Sequence, residues 1–104
     1  MANIDIVLAS IADCFNYQRD KTIYECEQQI AAACIEFRNA VYECKAKTMD
    51  QVNRHLHQVR TQKKICLARL KFHPPEHHAL FAKPLESIDN YEMKLLNIRR
   101  NLEF

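Results

Sequence analysis

The chain of 104 residues contains no glycine, and its only prolines are Pro74, Pro75 and Pro84. Glycine supplies the positive-φ conformations of tight hairpins, bulges and phosphate-cradling loops. Its absence argues against a β-rich fold and against Walker-type or dinucleotide-binding loops. Proline breaks helix interiors, so residues 1–73 are free to form long helices. The expected fold class is all-α.

Apolar spacing supports this. Ile4, Leu8, Ile11 and Phe15 mark a short amphipathic helix over 4–15, with Asn3 as a candidate N-cap. The segment 16–21 breaks the pattern. Thr22 and Glu25 then form a capping-box pattern at the head of a helix over 22–46. There Ile23, Cys26, Ile30, Ala33, Phe37, Ala40 and Cys44 alternate spacings of three and four, a heptad seam. A second stripe, Tyr24, Ala31, Ile35, Tyr42 and Ala46, runs about 120° around the same helix. Two apolar stripes mean that this helix is covered on two sides, within the bundle or by a second subunit.

A further seam runs through Met49, Val52, Leu56, Val59, Cys66 and Leu70, interrupted by Lys63. Ile65 and Phe72 point away from it, toward a second contact. Thr48 and Gln51 favour a new helix start, which predicts a turn near 46–49. The alternative is one continuous helix of roughly 75 Å. His73-Pro74-Pro75 ends the helix. Residues 76–82 are expected to form one or two turns, and Pro84 suits the first position of a last helix. Its seam is Leu85, Ile88, Tyr91, Leu95, Ile98 and Leu102. The chain is thus expected to be one domain, residues 1–104, forming a compact bundle of three long helices and one or two short ones with heptad-type packing.

Charge is segregated along this pattern. Residues 45–73 carry eight Lys or Arg against one acid, Asp50, although the whole chain carries only +2. Arg60, Lys64 and Lys71 line up beside His57, with Lys47 and Arg54 at the edge. Such a row can neutralise phosphates, and Gln58 and Gln62 are long enough to reach base edges. No helix-turn-helix or other reading motif accompanies it. Glu25, Glu36 and Glu43 offer an acidic partner for this row within the same molecule. Lys47, Arg54, Arg60, Lys64 and Lys71 are therefore candidates for contact with nucleic acid or an acidic protein.

Catalytic signals are absent. The five cysteines form no C-x-x-C pair and suggest no disulfide framework. They read as reduced thiols acting as small hydrophobes in a cytoplasmic protein. Asp5 interrupts the apolar residues at the start, and no Lys or Arg precedes Arg19, so no secretory signal is expected. No apolar run reaches membrane-spanning length. His73, His77 and His78 stand near Glu76 and Cys66, but the intervening prolines spoil a shared ligand face. No metal, cofactor or small-molecule substrate is expected.

The reading that remains is a non-enzymatic protein-binding module, acting as an adaptor, inhibitor or assembly factor and as a homodimer. Its interface candidates are the apolar residues outside the seams: Tyr24, Ile35, Tyr42, Ile65 and Phe72. One alternative is nucleic-acid binding through the basic face of 49–72. A further alternative is a metal- or pH-responsive regulator centred on 73–78.

Overall fold

Thr22 and Thr48 each accept a hydrogen bond from the backbone N–H three residues on, at 3.1 and 3.2 Å, and so start the two central helices. At Thr48 the box is reciprocal, with Gln51 reaching back to the Thr48 N–H. A computed structural model describes residues 4–44 and 46–103. It contains α1 (Ile4–Cys14), α2 (Ile23–Glu43), α3 (Met49–Leu70), a 3-10 segment (Pro75–Phe81) and α4 (Ala82–Leu102). The all-α bundle expected from the sequence is the observed fold. The chain turns between α2 and α3, so the long continuous helix does not form. Asn3, the candidate cap of α1, lies outside the described residues.

Two hairpins, α1–α2 and α3–α4, pack together with α1 against α3 and α2 against α4. This leaves α2 and α3 across the diagonal. The buried residues follow the apolar seams: Val7, Leu8 and Ile11 from α1; Ile30, Ala33, Phe37 and Ala40 from α2; Val52, Leu56, Val59 and Cys66 from α3; Ile88, Tyr91 and Leu95 from α4. Phe37 and Tyr91 meet edge to face, with ring centroids 5.8 Å apart.

Three long-range side-chain contacts reach backbone carbonyls near helix ends. Arg69 of α3 donates to the Ala12 carbonyl at 2.7 Å, at the end of a helix with no basic residue in its own last turn. Lys94 of α4 donates to the Val41 carbonyl at 3.2 Å, and His73 Nε2 donates to the Phe15 carbonyl at 2.7 Å. These tie the hairpins together at both ends.

Several expectations need correction. Helix α2 ends at Glu43, so Ala46 lies in the connection rather than on the helical stripe. Pro84 is the third residue of α4, not the first. It is tolerated because first-turn N–H groups lack intrahelical partners, and its ring is buried. Ile23, at the open end of its seam, is exposed. Ile65 does not point outward: it is half-buried against the core.

The molecule is long and flat, 50 × 25 × 17 Å, with a radius of gyration of 14.4 Å. A compact domain of this length has a radius near 12.9 Å. Its accessible surface of 6927 Å² exceeds the roughly 6,100 Å² usual for this mass. The excess places more side chain in water than a chain of this size must.

Candidate functional site: the outer face of α2 and the α2–α4 groove

One side of α2 packs into the bundle, against α1, α4 and the 3-10 segment. On the solvent side Tyr24, Ala31, Ile35 and Tyr42 fall within about 20° of one line at 100° per residue. Tyr24 is 68% exposed, Ile35 58% and Tyr42 87%. On one flank of this line stand Glu25, Glu36 and Glu43, all exposed. The other flank opens into a groove.

The groove lies between α2 and α4 over Phe37, Val41 and Tyr91, a cleft of about 410 Å³. Arg38, Lys83 and Lys94 line it, with Glu86 as the one acid and Ser87 and Asn90 between them. A second depression of about 390 Å³ continues it past Ala31, Cys34 and Ile35 to Leu80, with Glu27 at its far end. Burial pushes the Cys34 thiol up, while the nearby charges of Lys83 and Arg38 oppose this. No salt bridge engages Arg38, Lys83 or Lys94 among the described residues. The groove therefore offers a basic, partly apolar wall beside an apolar stripe, with an acidic flank beyond.

The basic face of α3 is divided between paired and free cations. Arg60 meets Glu92 at 2.7 Å, Lys63 pairs with Asp89, and Arg69 lies 3.5 Å from Asp13. The partners come from α4 and α1. Among the described residues none of these cations pairs with Glu25, Glu36 or Glu43, the acidic partner the sequence offered, because α2 lies across the diagonal from α3. Lys47, Arg54, Lys64 and Lys71 are exposed and make no ion pair among the described residues. Phe72 is 76% exposed at the end of α3, away from the α2 stripe.

The histidines at 73–78 close the end of the bundle. His73 is buried beneath Tyr17, His77 and Phe81, with centroids 5.3, 5.8 and 4.7 Å away. His78 Nε2 donates to the His73 carbonyl at 3.2 Å. Cys66 is buried in the apolar core, where loss of solvent pushes its thiol up to about 12. Among the described residues no three His, Cys, Asp or Glu side chains converge on a point that could hold a metal ion.

Sequence reasoning missed one polar cluster. His55 Nδ1 lies 2.9 Å from the Tyr91 hydroxyl and 3.5 Å from Cys44 Sγ, which is itself 3.3 Å from that hydroxyl. Burial lowers the His55 pKa, and neighbouring Arg54 adds to this while Asp5 opposes it. Tyr91 is raised above the ordinary phenol range, chiefly by burial and then by its bond to Cys44. The available signal was position: His55 falls one residue before Leu56 on the seam, and Tyr91 and Cys44 are themselves seam residues.

The chain matches no known family model, curated protein or solved structure. No described helix is long and apolar enough to cross a membrane.

Proposed function

We propose that the chain is a non-enzymatic protein-binding module that works through the outer face of α2 and acts as a homodimer. Adaptor, inhibitor and assembly factor are the roles that fit such a module. The observation that carries this reading is the alignment of Tyr24, Ala31, Ile35 and Tyr42 on the open side of one helix. Apolar side chains scattered singly on a surface are ordinary, whereas a contiguous patch marks an interaction site. Tyrosine supplies large contact area at low entropy cost. In the groove beside the stripe the Ser87 hydroxyl donates to the Lys83 carbonyl at 3.1 Å. Five free thiols suit a reducing compartment, which favours the cytoplasm.

Light scattering at tens of micromolar tests this. The expected mass is twice the 12.3 kDa of the chain, and I35E is expected to return it to the monomer without loss of helix. A monomeric wild type would sink the dimer. A dimer indifferent to both I35E and Y42E would remove α2 as its interface.

A second reading rests on Lys47, Arg54, Lys64 and Lys71 of the α3 side, exposed cations that make no ion pair among the described residues. They span a surface free to contact nucleic-acid phosphates. Anisotropy with duplex and single-stranded probes at about 50 and 200 mM salt tests it. Binding that falls steeply with salt and weakens in K64E supports it. No binding at the lower salt rejects it.

A further inference from the structure

The self-association reading leaves open which surface of the second copy lies on the outer face of α2. We infer that two copies pair through α2 about a two-fold axis running parallel to that helix, so that the basic α2–α4 groove of each receives the acidic flank of α2 of the other. This rests on the homodimer proposed above and adds its geometry.

The surfaces across this face follow a fixed order. With Tyr24 set at zero and 100° per residue, the apolar stripe occupies about −20° to +20°. Glu25, Glu36 and Glu43 lie at about +100° to +120°, and Arg38 lies at about −40°. Lys83 and Lys94 of α4 extend the basic side beyond Arg38 across the groove. Arg38, Lys83 and Lys94 face Glu86 in that cleft and Glu27 at the far end of the depression that continues it, which leaves the groove one positive charge in excess. Three acids, Glu25, Glu36 and Glu43, stand on the opposite flank.

Symmetry then decides the orientation. A two-fold axis parallel to α2 exchanges left for right, and each basic flank meets the other copy's acidic flank. A two-fold axis in the interface plane and perpendicular to α2 keeps left on left. It would set Lys83 and Lys94 against their own copies, and Glu25, Glu36 and Glu43 against theirs. Like charges face to face across an interface repel, and complementary flanks select the register. Only the parallel arrangement joins stripe to stripe with opposite charges on both sides.

The surface available is of the right size. The exposed portions of Tyr24, Ile35 and Tyr42 amount to roughly 430 Å², at about 200 Å² for a whole large side chain. A standard interface buries about 800 Å² per partner. The groove wall on one side and the glutamate flank on the other supply the remainder. A closed two-fold pair also covers the stripe completely, with no open edge left to propagate.

The test is a charge swap. One chain carries K83E/K94E, so that both flanks are acidic. The other carries E36K/E43K, so that both are basic. Each alone is expected to dimerise at least tenfold more weakly than wild type, and their equimolar mixture to form a heterodimer of near wild-type affinity. Native mass spectrometry distinguishes the species once a small tag is placed on one chain. Because Lys94 also donates to the Val41 carbonyl, K83E alone is measured beside the double variant, and far-UV circular dichroism confirms folding. Undiminished dimers in the single-chain variants, or weakened dimers that mixing does not restore, would overturn the parallel pairing while the dimer itself stood. A wild-type chain that stays monomeric at about 100 µM would overturn both.

Discussion

The Tyr91 hydroxyl lies 2.9 Å from Nδ1 of His55, a buried link between α4 and α3 across 36 positions of sequence. In the Nε2–H tautomer of the neutral imidazole the phenol donates and Nδ1 accepts. Cys44, capping α2, lies 3.3 Å from the same hydroxyl, so three helices meet at one polar point. Replacing Tyr91 by Phe keeps the ring against Phe37 but strips His55 of its closest partner. An unsatisfied buried polar group costs about 1–3 kcal/mol. Urea unfolding of Y91F is expected to show a loss in that range. A change below about 0.5 kcal/mol would mean that water or Cys44 replaces the bond in full.

The same site sets a pH dependence. Burial and Arg54 hold the His55 pKa below its ordinary 6.5 in the folded state. The unfolded chain therefore binds the proton first as pH falls. Stability from this group is fully present above about pH 6.5 and declines below it, with a slope of at most about 1.4 kcal/mol per pH unit for one proton. Unfolding free energies from pH 8 to 5 should fall at the acid end, and H55Q should flatten that fall. Identical slopes in wild type and H55Q would assign the effect to other groups.

Phe37 and Tyr42 test the two faces of α2 against each other. Phe37 is fully buried against Tyr91, and Tyr42 stands in solvent. F37A is expected to cost about 3–5 kcal/mol, the usual range for a buried phenylalanine. Y42A, measured at a concentration too low for self-association, is expected to change stability by less than about 0.5 kcal/mol. Comparable losses at both positions would contradict the placement of α2.

The thiols are expected to react in order of exposure. Cys14, Cys34 and Cys66 are buried, and desolvation pushes Cys14 up to about 11 and Cys66 to about 12. Cys26 and Cys44 are half-exposed. Native-state labelling with an aromatic disulfide reagent near pH 8 should modify these two first and the other three only on unfolding. Rapid release of all five in the folded protein would mean that the core opens readily.

The surface ion pairs are expected to matter little. Arg60, which meets Glu92, is half-exposed, and exposed pairs contribute about 0.2–1 kcal/mol. R60A should stay within that range by thermal unfolding. A loss above about 2 kcal/mol would show that the pair helps hold α3 to α4.

The amino-acid sequence by itself determined the helices. Thr22, Thr48 with Gln51, and the His73-Pro74-Pro75 stop act through bonds and sterics within four residues. The spacing of Ile30, Phe37, Val59, Ile88 and Tyr91 names the buried faces because helical period is a local property. The second stripe on α2 was legible for the same reason, and its exposure at Tyr24, Ile35 and Tyr42 follows from α2 having neighbours on one side only. What the tertiary structure alone decided is which helix stands beside which. Placing α2 across the diagonal from α3 sent Arg60 and Lys63 to α4 and left Glu25, Glu36 and Glu43 to solvent. It also turned Ile65 inward and brought Cys44, His55 and Tyr91 to one point. Those outcomes depend on distances between helices far apart in the chain, and no periodicity within a single helix records them.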